Sequence, residues 1–236
     1  MEKDIRHSWA IDVLSVGLIL VGGLLLLVGQ SPSDESGGVD APPMRQAGTE
    51  WNDFAELLQD AQWIGPEGAP SVVAVYCAYT CSFCHQLHDH IQALRRRYPQ
   101  HMAVVWRHFV DSADASRSLT SVAAECAGEQ GLFKAFQAVA HSAGQATTYS
   151  DAWLSLAHRV EGLDLPMFQD CVRSRRYLGR IQRHARDAEG RGITVTPTLW
   201  INGHRINGLP PAEVLDSLVV AAFRDPSRRA GLQSER

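Results

Sequence analysis

Cys81, Ser82, Phe83, Cys84 and His85 spell C-x-x-C-H, and His88 follows three positions later. Three chemistries use such a set. Two cysteines three apart can cycle between dithiol and disulfide. The pentapeptide can carry a covalently attached c-type haem, with the histidine as axial ligand. Cys81, Cys84, His85 and His88 together also have the donor types of a zinc site. Which applies depends on the elements that hold these residues.

Ser71 to Tyr76 (SVVAVY) is a short continuous apolar run behind the turn-rich Gly65-Pro66-Glu67-Gly68-Ala69-Pro70. Such a run suits a strand buried on both faces. Beyond the cysteines, Phe83, Leu87, Ile91, Leu94 and Tyr98 recur at helical spacing, and Pro99 ends the pattern. Cys81 therefore opens a helix at the end of a buried strand. Free amide hydrogens and the partial positive charge of a helix N-terminus stabilise a thiolate, the form that attacks and leaves in disulfide exchange. Cys84, one turn on, comes round to face Cys81 and is expected to be the more buried. A haem site needs a helical wrapper and a second axial ligand, and zinc needs four convergent donors. A strand–helix junction favours redox chemistry over both, leaving His85, His88 and His90 as a solvated or partly packed helix face.

Met102 to Val110 (MAVVWRHFV) is a second strand candidate. Ser112 to Arg191 carries amphipathic helical patterns and no convincing strand. The patterns are Leu119, Val122, Ala123 and Cys126; Leu132, Phe133, Phe136 and Val139; Trp153, Leu154 and Ala157; Phe168, Cys171 and Val172. Thr198 to Ile201 is a strand, Asn202-Gly203 a two-residue hairpin turn, and His204 to Ile206 the return strand. Val214, Leu215, Leu218, Val219 and Ala222 mark a closing helix with prolines at its start. The order is a βαβ unit, a helical block, then ββα. The folded domain is expected over about 49–225, with the helical insertion at about 112–191 and Trp51, Phe54, Leu57 and Leu58 as its first core residues.

Tyr79-Thr80-Cys81-Ser82-Phe83-Cys84 after a strand, a helical insertion, and Ile193-Thr194-Val195-Thr196-Pro197-Thr198 before Ile201-Asn202-Gly203 resemble the thioredoxin superfamily. The likeness is to its DsbA-like disulfide oxidoreductases of the bacterial cell envelope, and it runs from Trp51 to Phe223. It implies an α/β thioredoxin-like fold, with Cys81 as nucleophile, Cys84 as resolving thiol and a cis Pro197 against the active-site sulfurs. A cis bond costs far less before proline than before any other residue. Thr196 would offer its backbone to an extended substrate peptide. The resemblance also implies cysteine-containing substrate proteins, a membrane quinone-linked partner that reoxidises the thiols, and no bound cofactor. Two departures stand out. Ser82 and Phe83 replace the Pro or His common between the cysteines, which argues for a milder oxidant. No acid lies between Ser71 and Thr80 to act as a buried proton relay.

Cys77, Cys126 and Cys171 remain. Three thiols allow three pairings. Cys126 and Cys171 each lie on the apolar face of a helix in the inserted block, which favours a structural bridge between them. Cys77, at a strand end, reads as buried and inert.

Val13 to Gly29 is uncharged and rich in Leu, Val and Gly, spanning roughly 25 Å as a helix. Adding Trp9, Ala10 and Ile11 makes a membrane span adequate. Lys3 and Arg6 precede it, and Asp34, Glu35 and Asp40 follow, so residues 1–12 are expected in the cytoplasm and the bulk of the chain outside. The run exceeds the usual core of a cleavable signal peptide and no A-x-A site follows. An anchor in the lipid bilayer at 13–29 is therefore favoured over a cleaved signal. Residues 30–48 read as a flexible tether and 226–236 as a tail. Outside the cytoplasm disulfides persist. A net charge of −4, with scattered arginines, points away from nucleic acid.

The functional reading is a membrane-anchored thiol–disulfide oxidoreductase that oxidises envelope or secreted proteins. The alternatives are an envelope reductase or isomerase and, from another class, a haem- or metal-binding or adaptor protein using C-x-x-C-H.

Overall fold

The computed structural model describes residues 54–110, 119–144 and 152–225. The expected cytoplasmic start, span, tether, Trp51 and tail lie outside the described residues. Among the described residues, no helix is long and apolar enough to cross a membrane.

Five strands form one sheet: β1 (Gln62–Ile64), β2 (Ser71–Cys77), β3 (Met102–His108), β4 (Thr198–Ile201) and β5 (His204–Asn207), in the order β1-β3-β2-β4-β5. Only the β2–β3 pair is parallel; the other pairs are antiparallel. Every residue of β2 and β3 is buried. That explains their unbroken apolar runs, because a strand covered on both faces has no solvent side to mark with polar residues.

The side chains of β2 alternate between two cores. Val73, Val75 and Cys77 face one side and Val72, Ala74 and Tyr76 the other. The first side is covered by α2 (Ser82–Arg97) and α8 (Ala212–Arg224), and by the helical block α3 (Leu119–Glu129), α4 (Phe133–Ala143), α5 (Ala152–Ala157) and α6 (Leu165–Arg173). The second is covered by the helical residues 54–58 (α1) and by the end of α7 (Leu178–Gly190), through Phe54, Leu57 and Ala188.

β1 and α7 have no counterpart in the sequence reading. β1 has three residues, too few to show a period, and its Trp63 is exposed. α7 buries Ile181, His184, Ala185 and Ala188, so a histidine and two alanines occupy positions where a periodicity search looks for large apolar residues.

The β4–β5 turn has positive φ at Asn202 (43°) and Gly203 (90°), as an Asn-Gly hairpin requires. The Asn202 side chain also ties this turn to the start of β2. Its Oδ1 accepts from Val72 N at 2.7 Å and its Nδ2 donates to Pro70 O at 2.9 Å. Pro211 is the N-cap of α8, just outside the first turn.

A buried ionic network fixes the other end of the sheet. Arg107 on β3 donates to the carbonyls of Leu57 (3.1 Å) and Gln59 (2.8 Å), to Tyr76 Oη (2.7 Å), and pairs with Asp187 on α7 at 2.9 Å. Tyr76 Oη in turn donates to Asp187. The disulfide Cys126–Cys171 joins α3 to α6, as the apolar placement of both residues favoured. It closes a 45-residue separation, worth about 4 kcal/mol by loop-closure entropy.

Candidate active site

Cys81 is the N-cap of α2, and its carbonyl accepts the amide hydrogens of Cys84 (3.0 Å) and His85 (3.2 Å). Its thiol is half-buried and unbonded, and donates to the carbonyl of Thr196 at 3.3 Å. The Thr196–Pro197 peptide bond is cis. Two bonds hold this loop: Thr198 Oγ1 donates to Val195 O at 2.8 Å, and Gly208 N to Pro197 O at 2.8 Å. The strand–helix junction and the proline loop, 115 residues apart in sequence, thus meet at the Cys81 sulfur. Cys84 is fully buried.

Beside the thiol lies a depression of about 390 Å³ lined by Tyr79, Cys81, Phe109, Val110, Ser121 and Thr196, among others. Phe83 and Val195, next in sequence to site residues, are 55% and 46% exposed. Phe83 therefore departs from the helical stripe to which its spacing assigned it. The inner face of α2 is made by Cys84, Leu87, His88, Ile91 and Leu94. Ser82 is exposed.

The sulfur connectivity differs from the sequence expectation. Cys84 is bonded to Cys77, with Cα atoms 5.8 Å apart, and Cys81 is the free cysteine. Cys77 is buried as expected but is not an inert thiol. The reason is strand alternation: Cys77 follows Val73 and Val75 on the face that α2 covers, directly beneath Cys84. That alternation was legible in the sequence.

Of the histidines after the motif, His85 and His90 are partly packed, within the expectation, and His88 is buried. His88 stacks on His141 of α4, with centroids 4.4 Å apart. His85 Nδ1 lies 3.2 Å from His141 Nδ1. Burial lowers the pKa of all three: that of His88 to about 4, against the opposing charge of Asp89, and that of His141 well below its usual range, with His88 and His85 adding repulsion. These rings are neutral at pH 7 and fill the space between α2 and α4. Among the described residues, no three His, Cys, Asp or Glu side chains converge as a metal site.

A buried acid does exist, on α3 rather than on the strand before the cysteines. Glu125 of α3 is fully buried, with Oε1 2.8 Å from His108 Nε2 and Oε2 2.6 Å from both Gln62 Nε2 and Arg180 Nη1. Burial alone would raise its pKa. The hydrogen bonds and charge of His108, with Gln62 and Arg180, outweigh that and bring it down to about 2. A carboxylate so acidic is a fixed negative charge, not a proton relay at neutral pH. Its field, after burial, pushes the Tyr79 phenol well above 10.

A thiol at a helix start, held beside a cis-proline loop on a βαβ–ββα sheet, defines the thioredoxin class. The chain belongs to that family: the family model described as Thioredoxin matches residues 58–221. Solved structures share the fold. A thioredoxin-like oxidoreductase from Silicibacter pomeroyi is 20% identical with a TM-score of 0.62, over 77% of this chain and 99% of that one. Oxidised BdbD from Bacillus subtilis is 13% identical with a TM-score of 0.63, over 71% and 95%. The thiol-disulfide exchange protein alpha-DsbA2 from Wolbachia pipientis is 16% identical with a TM-score of 0.61, over 73% and 94%. Among curated proteins, the Na(+)/H(+) antiporter NhaA 3 of Salinispora tropica is 30% identical over 182 residues, which is 72% of this chain and 28% of the antiporter. NhaA 1 of Salinispora arenicola is 30% identical over 184 residues, again 28% of its length. The chain thus spans under a third of the curated relatives it matches.

Proposed function

We propose that the protein is a thiol–disulfide oxidoreductase that oxidises cysteine pairs in envelope or secreted proteins through Cys81 and Cys84. The observation that carries this reading is the half-buried Cys81 thiol at the α2 N-terminus, 3.3 Å from the Thr196 carbonyl of the cis-proline loop. In the working cycle a substrate thiolate attacks Cys81 of a Cys81–Cys84 disulfide, and Cys84 leaves as thiolate. A second substrate thiol then attacks the substrate sulfur, releasing reduced Cys81 and an oxidised substrate. The Thr196 backbone and exposed Phe83 and Val195 offer an extended peptide main-chain and apolar contacts.

Ser82 and Phe83 place no cationic side chain between the cysteines to hold the thiolate. The reduction potential is therefore expected between those of a DsbA-type oxidant and of glutaredoxins, roughly −120 to −230 mV. Equilibration with glutathione buffers measures it. A value near roughly −270 mV would assign the protein to the reductases instead.

The reading includes a membrane anchor at residues 13–29 and a quinone-linked partner in the same membrane that withdraws the electrons. Full-length protein is expected to pellet with membranes and to resist carbonate extraction, because apolar burial holds a span of that length. Recovery of a soluble form whose N-terminus lies near Ser31 or Asp34 would rule the anchor out.

A further inference from the structure

The working cycle uses two sulfurs, yet three meet here. Cys84 sits on the buried face of α2. Cys81 lies one turn before it, and Cys77 lies below it on β2. Cys77 is 1% exposed and out of a substrate's reach. Its backbone is fixed by the β2–β3 ladder, and its carbonyl accepts from Phe109 N at 2.9 Å. Its 5.8 Å Cα separation from Cys84 lies within the range of ordinary disulfides, about 4.4–6.8 Å. With that bond made, Cys81 is a free thiol facing the depression beside Thr196.

We propose that Cys84 exchanges partners between Cys81 and Cys77, so that one oxidised protein has two forms of opposite chemistry. This rests on the oxidoreductase reading above. The step is an internal thiol–disulfide exchange. The Cys77 thiolate attacks the Cys84 sulfur of the Cys81–Cys84 disulfide, the Cys77–Cys84 bond forms, the Cys81–Cys84 bond breaks, and Cys81 leaves as thiolate. The proton lost by Cys77 is matched by the one Cys81 takes up, and no electrons enter or leave. In the first form Cys81 is an electrophilic sulfur that oxidises dithiols. In the second it is a nucleophile whose resolving partner is withdrawn. It then attacks a mispaired disulfide in a substrate protein and stays attached until another substrate thiol displaces it. That sequence rearranges disulfides without net oxidation. Cys77 is thus a further catalytic residue, and its substrates are proteins with non-native disulfides.

Chymotrypsin cuts after Tyr79 and Phe83, separating Cys77, Cys81 and Cys84 onto three peptides. Native full-length protein, equilibrated across glutathione buffers and quenched with N-ethylmaleimide in denaturant, can therefore be mapped by mass. Two oxidised species are expected, Cys77–Cys84 with labelled Cys81 and Cys81–Cys84 with labelled Cys77. Their ratio should stay constant while the total oxidised fraction changes, because the exchange moves no electrons. Cys77→Ser, or Cys77→Ala if the serine variant does not fold, should leave only Cys81–Cys84 and lower rearrangement of scrambled ribonuclease at least fivefold relative to dithiol oxidation. If Cys77 is labelled in every oxidised molecule, the exchange is overturned and the two-cysteine oxidoreductase stands. If Cys81 enters no disulfide in any buffer, the oxidoreductase reading fails and the exchange with it. A species ratio that follows the glutathione ratio also overturns the exchange.

Discussion

Replacing Cys84 by Ser is expected to trap substrate proteins on Cys81 as mixed disulfides stable to alkylation and visible on non-reducing gels. Cys81 is the only one of the two motif sulfurs that a substrate can reach: it is half-buried, whereas Cys84 is 0% exposed on the inner face of α2. Attack by a protein thiolate therefore begins or ends at Cys81, and without Cys84 the nearby resolving thiol is missing. Cys81→Ser should abolish trapping and lower dithiol oxidation by at least a thousandfold, because no other described cysteine combines exposure with the helix N-terminus. Both variants keep the Cys126–Cys171 bridge and the two cores, so circular dichroism should match the wild type. Adducts that map to Cys84 in a Cys81→Ser protein would reverse the assigned roles.

What the sequence discloses and what it hides follow from length scale. Strand β2, helix α2, the Asn202-Gly203 hairpin and the closing helix are local patterns. They show an unbroken apolar run, a period of 3.6 or a dedicated turn pair, so the chain order implied the sheet. The meeting of Cys81 with Thr196 is not local, yet it was accessible, because C-x-x-C after a strand and T-P-T before a hairpin are positions of one fold. Besides α7, three features stayed hidden. Trp63 and its two neighbours in β1 show no period. His141 joins His85 and His88 only through the α2–α4 packing. Glu125 lies on a helix whose every residue from Thr120 to Ala127 is buried, so its sequence carries no polar side to flag a buried acid. Cys77 is a different case. Its face was readable from Val73 and Val75, and that face sets it against α2 beside Cys84.

Glu125→Ala is expected to destabilise the fold by about 3 kcal/mol at pH 7, measured by urea unfolding. Removing one member of a buried ion pair typically costs about 3–5 kcal/mol, because the other member keeps its desolvation without its partner. The lower end applies, since Arg180 retains Asp60 at 2.8 Å when Glu125 is lost. His108, fully buried, retains no acid among the described residues. The pH dependence separates this effect from lost packing. Glu125 has a folded pKa near 2 against an ordinary 4.5, so the unfolded chain binds its proton first on acidification. Its contribution is complete above about 4.5 and is lost as the pH falls toward 2. The neighbouring His184 works in the same direction from higher pH. It accepts the His108 amide hydrogen at Nδ1 (3.1 Å) and donates from Nε2 to Asp60 O (2.8 Å), an arrangement that only the neutral ring satisfies. Burial, with the charges of His108 and Arg107, holds its pKa at about 3, below the ordinary 6.5. Stability should thus begin to fall below pH 6.5 in wild type and variant alike. Only the wild type should show the further loss between about 4.5 and 2. Glu125→Gln, which keeps hydrogen-bonding capacity without the charge, should fall between them at pH 7 and, like the alanine variant, show only the His184 slope without the added loss from Glu125. If Glu125→Ala unfolds within about 0.5 kcal/mol of wild type and keeps the same acid limb, the buried network is not what ties α3 to β3 and α7.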